Sequence, residues 1–150
     1  MYKNTFTHYL TKFLVNAAFY LGIPFVATIF WWTQFFEKYL AYNPAYFSFL
    51  TVILTLSGLA GLFGIWQLKK LFATLVGGDP FVDENVARLR NGAIASFMIS
   101  IIFLLKELVV FTIASGLIMI IFAFLGLFCL TLKDVFKQAV TYKQENDWTV

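Results

Sequence analysis

"NGAIASFMISIIFLLKELVVFTIASGLIMIIFAFLGLFCLTL", residues 91–132, carries two charges, Lys106 and Glu107, in 42 residues. As a single helix it would be about 63 Å long, twice the ~30 Å of hydrocarbon in a bilayer. A turn must therefore interrupt it. Charge is costly in hydrocarbon, so the turn belongs near Leu105–Val110, where Lys106 and Glu107 reach an interface. A turn at Ala114, Ser115 and Gly116 would instead draw the pair into the membrane. The stretch thus predicts two spans, about 87–105 and 112–132. The earlier one is short, because Arg90 and Lys106 are separated by about 22 Å of helix. It gains length upstream, where the long side chains of Arg88 and Arg90 snorkel to the headgroups.

Working outward, the 24 uncharged residues between Lys12 and Glu37 predict a first span at about 13–33. That run is longer than the apolar core of a signal peptide and ends in Trp31 and Trp32, so it is expected to stay attached. Asn43 and Pro44 mark a turn, and a second span of about 46–68 ends at Lys69 and Lys70. The fold class is all-α: a polytopic membrane protein of 150 residues in one domain, with four transmembrane helices as a bundle. A loop of 69–86 joins the second and third spans, and a tail of 133–150 extends the fourth as a helix. Composition agrees, with 61% hydrophobic and 13% charged residues and a mean hydropathy of +0.81. Such a chain takes membrane lipid as its solvent.

Nine Lys and Arg residues (Lys3, Lys12, Lys69, Lys70, Arg88, Arg90, Lys133, Lys137 and Lys143) fall on one side of these spans, against Lys38 and Lys106 on the other. Both termini and the 69–86 loop are therefore expected in the cytoplasm of a cell with a bacterial inner membrane. Trp31, Trp32, Tyr39, Tyr42 and Tyr46 supply an aromatic belt at the opposite face. The positive residues flank apolar runs and form no basic face, which argues against direct nucleic-acid binding.

Small residues recur four apart in the second span, Ser57 with Gly61 and Ala60 with Gly64. This spacing lets another helix approach closely, within the bundle or in a homo-oligomer. In the loop, Gly77 and Gly78 break a helix, Asp79 is expected as the next N-cap and Pro80 as the first helical residue. Asp83 and Glu84 then lie near the positive end of the helix dipole, and Glu84 can pair with Arg88. As a metal site, Asp79, Asp83 and Glu84 lack any further oxygen-ligand pattern. In the tail, Leu132, Val135, Phe136, Ala139 and Val140 form an apolar stripe opposite Lys133, Asp134, Lys137 and Gln138. That stripe can lie on the membrane, pack on the loop or meet a partner.

Chemistry is sparse. His8 is the lone histidine and Cys129 the lone cysteine, so a metal centre, a disulfide framework and a Ser-His-Asp triad lack parts. The chain is expected to be non-enzymatic and without a cofactor, and Cys129 to be a small packed or lipid-facing residue.

"GDPF", Asn85, "RLR" and Gly92, followed by "LKDVF", Ala139 and the terminal "QENDWTV", together resemble the domain of unknown function 2975 family of small bacterial four-span membrane proteins. The family pattern has a leucine where Trp148 stands. The resemblance implies a membrane protein linked to a small helix-turn-helix DNA-binding regulator, with no established activity. The residues expected to dock such a cytoplasmic partner are Asp79, Phe81, Asn85, Arg88 and Arg90 in the loop, and Glu145, Asn146, Asp147 and Trp148 in the tail. The alternative is a small transporter, channel or immunity-type protein acting within the bilayer. It requires a polar cavity among Asn16, Gln34, Thr51, Thr55, Ser96, Ser100, Thr112 and Ser115.

Overall fold

The computed structural model describes residues 6–40 and 44–148, with Leu40 and Asp147 as backbone. Lys3, Tyr42 and Asn43 of the sequence reading lie outside the described residues, as does the side chain of Asp147. Among the described residues the fold is all-helical: α1 (Phe6–Ala27), α2 (Ile29–Leu40), α3 (Pro44–Val76), α4 (Asp83–Val109) and α5 (Ile113–Trp148). Four of these, α1, α3, α4 and α5, are long and apolar enough to cross a membrane, the mark of a multi-pass membrane protein.

The N-terminal segment, expected as one uninterrupted span, is broken at Thr28 into α1 and α2. Pro24 is the cause. It offers no N–H to the carbonyl of Tyr20, and its ring crowds the preceding turn. One turn later the Thr28 hydroxyl donates to the Pro24 carbonyl at 2.8 Å, and the N–H groups of Trp31 and Trp32 both turn to the Thr28 carbonyl. The carbonyls of Pro24 and Thr28 are thus both satisfied across the break.

The helices pack in chain order: α1 and α2 on α3, α3 on α4, and α4 on α5. At Lys69, α3 lies beside α1, its ammonium donating to the Tyr20 hydroxyl at 2.9 Å and resting over the rings of Phe19 and Tyr20. The Thr51 hydroxyl of α3 donates to that of Thr33 in α2 at 2.7 Å.

The small-residue stripe proves to be an internal interface. Ser57 and Ala60 are buried, a Cβ on Gly64 would lie 3.4 Å from the Cβ of Ala95, and one on Gly61 would lie 3.9 Å from Ile99 Cδ1. Both contacts are with α4. Ala60, Ile99 and Phe103 form the buried centre, against which Ile118, Met119 and Phe122 of α5 pack.

The buried residues of α4 include Asn85, Leu89, Gly92, Ser96, Ile99, Phe103 and Lys106. Their spacing alternates four and three, the repeat that keeps one seam of a helix facing its neighbours. Cys129 of α5 is buried against this seam, 3.9 Å from where a Gly92 Cβ would stand.

The turn between α4 and α5 spans residues 110–112. The connection between α3 and α4 begins, as its glycines imply, at Gly77 and Gly78, the latter at φ 94°. Beyond the spans α5 continues unbroken to Trp148.

Gly126 of α5 marks the tightest approach to α4, since a Cβ there would meet the Phe97 ring at 2.9 Å. Gly126→Leu is therefore expected to lose about 1–3 kcal/mol of stability through overpacking. Gly116→Ala, with open space around it, should leave the midpoint unchanged or slightly raised. Thermal unfolding of both variants in detergent checks the contrast.

Candidate functional site

The end of the molecule that carries the loop is assembled from three elements: the last turns of α3, the first turns of α4 and the C-terminal third of α5. Asn85 is at its centre, with 0% exposure. Its amide donates to the Thr74 hydroxyl at 2.8 Å and to the Pro80 carbonyl at 2.7 Å, and its oxygen accepts from Arg88 at 2.8 Å. Both N–H groups and the oxygen of one side chain are thus engaged. Thr74 in turn donates to the Leu71 carbonyl at 2.8 Å. Asn85 therefore joins the end of α3, the connecting loop and the start of α4.

Arg88 extends this knot outward. One guanidinium nitrogen donates to the Lys70 carbonyl at 3.0 Å as well as to Asn85, and the other pairs with Glu84 at 2.8 Å. The i, i+4 pair expected from the sequence is therefore present. The expected cap is not: α4 begins at Asp83, its N-cap is Val82 and no side chain caps it. Asp79 and Pro80 stand outside the helix because both are engaged elsewhere. Pro80 is buried, with its carbonyl on Asn85, and Asp79 pairs with Lys143 of α5.

That ion pair, with the Lys143 ammonium 2.8 Å from each Asp79 oxygen, is one of three ties between loop and tail. The Phe81 ring lies 5.6 Å from that of Phe136, and the Gln144 amide donates to Asp83 at 3.4 Å. Of the predicted tail stripe, Val140 is buried and Phe136 half-buried, whereas Val135 is exposed. The stripe packs inward on the loop, and Val135 falls off its edge. The three carboxylates once weighed as a metal set face Lys143, Gln144 and Arg88, three different partners.

The nine predicted docking residues accordingly divide. Asn85 is sealed inside, so it positions the loop and is closed to any partner. Arg88 is half-buried in the same knot. Asp79 and Phe81 are exposed in part but already engaged by the tail, and Arg90 is exposed. Glu145, Asn146 and Trp148 are exposed at the end of α5, Trp148 at 88%. Lys70, Thr74, Gly77, Asp79, Glu84 and Arg88 border a surface cleft of about 570 Å³ with both signs of charge on its walls. Sequence reasoning missed Thr74, Phe136 and Lys143 as parts of this unit. Phe136 was visible in the tail stripe, but nothing local marks Thr74 or Lys143 as partners of residues 11 and 64 positions away.

A second polar knot occupies the opposite end of α4. Lys106, expected beyond the third span at an interface, lies inside α4 and is 2% exposed. Its ammonium donates to Thr112 at 2.5 Å and to Ser115 at 2.6 Å, with Glu107 at 3.4 Å. Glu107 accepts from the Ser115 hydroxyl at 2.5 Å and from the Thr112 backbone N–H at 3.1 Å. The hydroxyls of Thr112 and Ser115 also meet. These first-turn residues of α5 and its approach replace the water that Lys106 gives up, which is why the helix can extend past the charge.

The polar residues needed for a common cavity are dispersed. Thr55, Ser96 and Ser100 donate to the carbonyls of Thr51, Gly92 and Met119. Gln34 is exposed, Thr51 faces Thr33, and Thr112 and Ser115 belong to the Lys106 knot. Asn16 is partly buried in α1, its oxygen without a partner.

The chain belongs to the family described as protein of unknown function (DUF2975), whose model matches residues 12–150. Searches of curated proteins and of solved structures found no match.

Asn85→Ala should cost about 1–3 kcal/mol by orphaning the buried groups around it, and Asn85→Asp should not restore the loss, because a carboxylate cannot donate to the Pro80 carbonyl. Thermal unfolding in detergent reads both. By the same method, Lys106→Met should lower the midpoint, and adding Glu107→Gln should recover much of the loss by removing the carboxylate left unpaired.

Proposed function

We propose that this protein is a non-enzymatic component of the bacterial inner membrane whose joined loop and tail dock a cytoplasmic protein. The observation that carries this reading is the three-part tie between loop and tail, Phe81 on Phe136, Asp79 with Lys143 and Gln144 with Asp83. Distant segments are held there in one surface, and a surface built from distant segments is more than a connector needs. The charge distribution supports a cytoplasmic position for this end: Lys69, Lys70, Arg88, Arg90, Lys133, Lys137 and Lys143 gather at it, whereas Lys106 at the other end is internally paired.

Arg90 and Trp148 are the exposed residues suited to anchor a partner, since Arg and Trp dominate the energetics of many interfaces. The bipolar cleft at the same end of the molecule suits a polar protein segment, and Asn85 and Arg88 hold its walls in register. The family resemblance suggests a helix-turn-helix transcription regulator as the partner, held at the membrane and released when loop and tail separate.

Full-length protein solubilised in detergent and used to capture cytosolic proteins tests the reading, with bound proteins identified by mass spectrometry. Arg90→Ala with Trp148→Ala should reduce a specific captured protein at least tenfold. Asp79→Lys or Lys143→Glu should do the same by repulsion, and the double swap should restore capture. The same captured set from wild type and all of these variants, each still folded by circular dichroism, would remove the docking reading.

A further inference from the structure

A cavity of about 850 Å³ lies between α1 and α2 on one side and α4 and α5 on the other, with α3 as its floor. Phe25, Ile29, Trp32, Leu54, Phe103 and Ile118 are among its walls. It has almost no polar surface to offer. The hydroxyls of Thr33 and Ser57, which border it, already donate to the carbonyls of Ile29 and Ile53 at 3.0 and 2.8 Å. A hydrogen-bonding ligand would find little to bind, and water would find no partners.

The shape of the space narrows the choice of occupant. Its α3 floor runs from Tyr46 to Gly61, about 22 Å of helix. A hydrocarbon chain lying along that floor meets apolar wall over its whole length. The space also lies among helices long and apolar enough to cross a membrane, so acyl chains are its immediate surroundings.

We propose that the cavity is a binding site for one acyl chain of a membrane phospholipid, which enters from the side and takes the place of the missing contact between α2 and the α4–α5 pair. The break at Thr28 belongs to this site. Phe25 precedes it and Ile29 and Trp32 follow it, and all three line the space. Tyr46 and Trp32 at the α3-start end lie where an interfacial aromatic belt meets headgroups. The bound chain would fill space that the protein's own side chains leave open, which distinguishes this site from the general lipid contact made by exposed residues such as Leu108.

The test uses full-length, delipidated protein in dodecyl maltoside with Trp31, Trp66 and Trp148 replaced by Phe, so that Trp32 alone fluoresces. Phosphatidylglycerol carrying one brominated acyl chain is titrated in. Saturable quenching at about one lipid per chain is expected. Leu54→Phe and Ile118→Phe, which fill the space, should weaken it at least fivefold, and Leu108→Phe should leave it unchanged. Native mass spectrometry of the wild type should show the matching single bound phospholipid. Quenching that rises without saturation, or that is equal in the filled variants, would overturn the site. So would a dimer whose cross-links join cavity walls of two copies. If a filled variant fails to fold, the wild-type stoichiometry alone decides.

Discussion

The seam of α4 is the constraint from which the rest of the structure follows. Asn85 and Lys106 are the polar ends of one buried row, 21 positions and about 31 Å of helix apart, close to the hydrocarbon thickness of a bilayer. Between them the row is apolar or small: Leu89, Gly92, Ser96, Ile99 and Phe103. A buried polar group in hydrocarbon is costly unless its hydrogen bonds are complete. Each end therefore recruits neighbours that complete them, Thr74 and the Pro80 carbonyl at one end and Thr112 and Ser115 at the other. Those recruits come from the adjoining connections and the helix turns that flank them, so the seam fixes how α3 leads into α4 and how α4 leaves for α5.

The interior of the seam sets how closely the helices approach. Apolar burial supplies little drive between helices in lipid, so contact depends on fit. Gly61 and Gly64 admit α4 against α3, and Gly126 admits the Phe97 ring of α4 against α5. The α1 and α2 segments meet α3 as closely, where a Cβ on Gly22 would lie 2.8 Å from Leu62 and one on Gly58 2.9 Å from Val26. Beyond each other they lean on α3 alone, and no residue of α1 is buried. The bundle is consequently well packed on one side and open on the other.

Much of this arrangement could be read from the sequence, because hydrophobic run length and charge placement act locally. Four long apolar helices, the glycine break at Gly77 and Gly78, the Glu84–Arg88 pair and the helical tail all depend on residues close together in the chain. What escaped depends on tertiary partners. Asp79 looked like a cap because nothing nearby announced Lys143, and Asn85 looked like a docking residue because its partner Thr74 lies on another helix. Lys106 looked like an interfacial residue because the sequence alone does not reveal that Thr112 and Ser115 fold back to solvate it. The break at Thr28 is of another kind: Pro24 was in plain view, but a proline in a membrane helix can be absorbed as a kink or end the helix, and only the packing on α3 distinguishes the two.

The two ends of α4 solve the same electrostatic problem with opposite consequences for their surroundings. At the Lys106 end the charges turn inward, toward each other and two hydroxyls, and the connection there is only residues 110–112. At the Asn85 end the buried amide satisfies itself with neutral and backbone groups, apart from Arg88, which leaves Lys70, Asp79, Glu84 and Arg90 at or near the surface. The helices reinforce that difference, since α3 and α5, at about 50 and 54 Å, are both longer than the hydrocarbon is thick. Toward the Asn85 end the two carry Lys69, Lys70, Lys133, Lys137 and Lys143. Exposed charge and the tie between loop and tail thus coincide at one end of the molecule, and Asn85, itself buried, holds that end in shape.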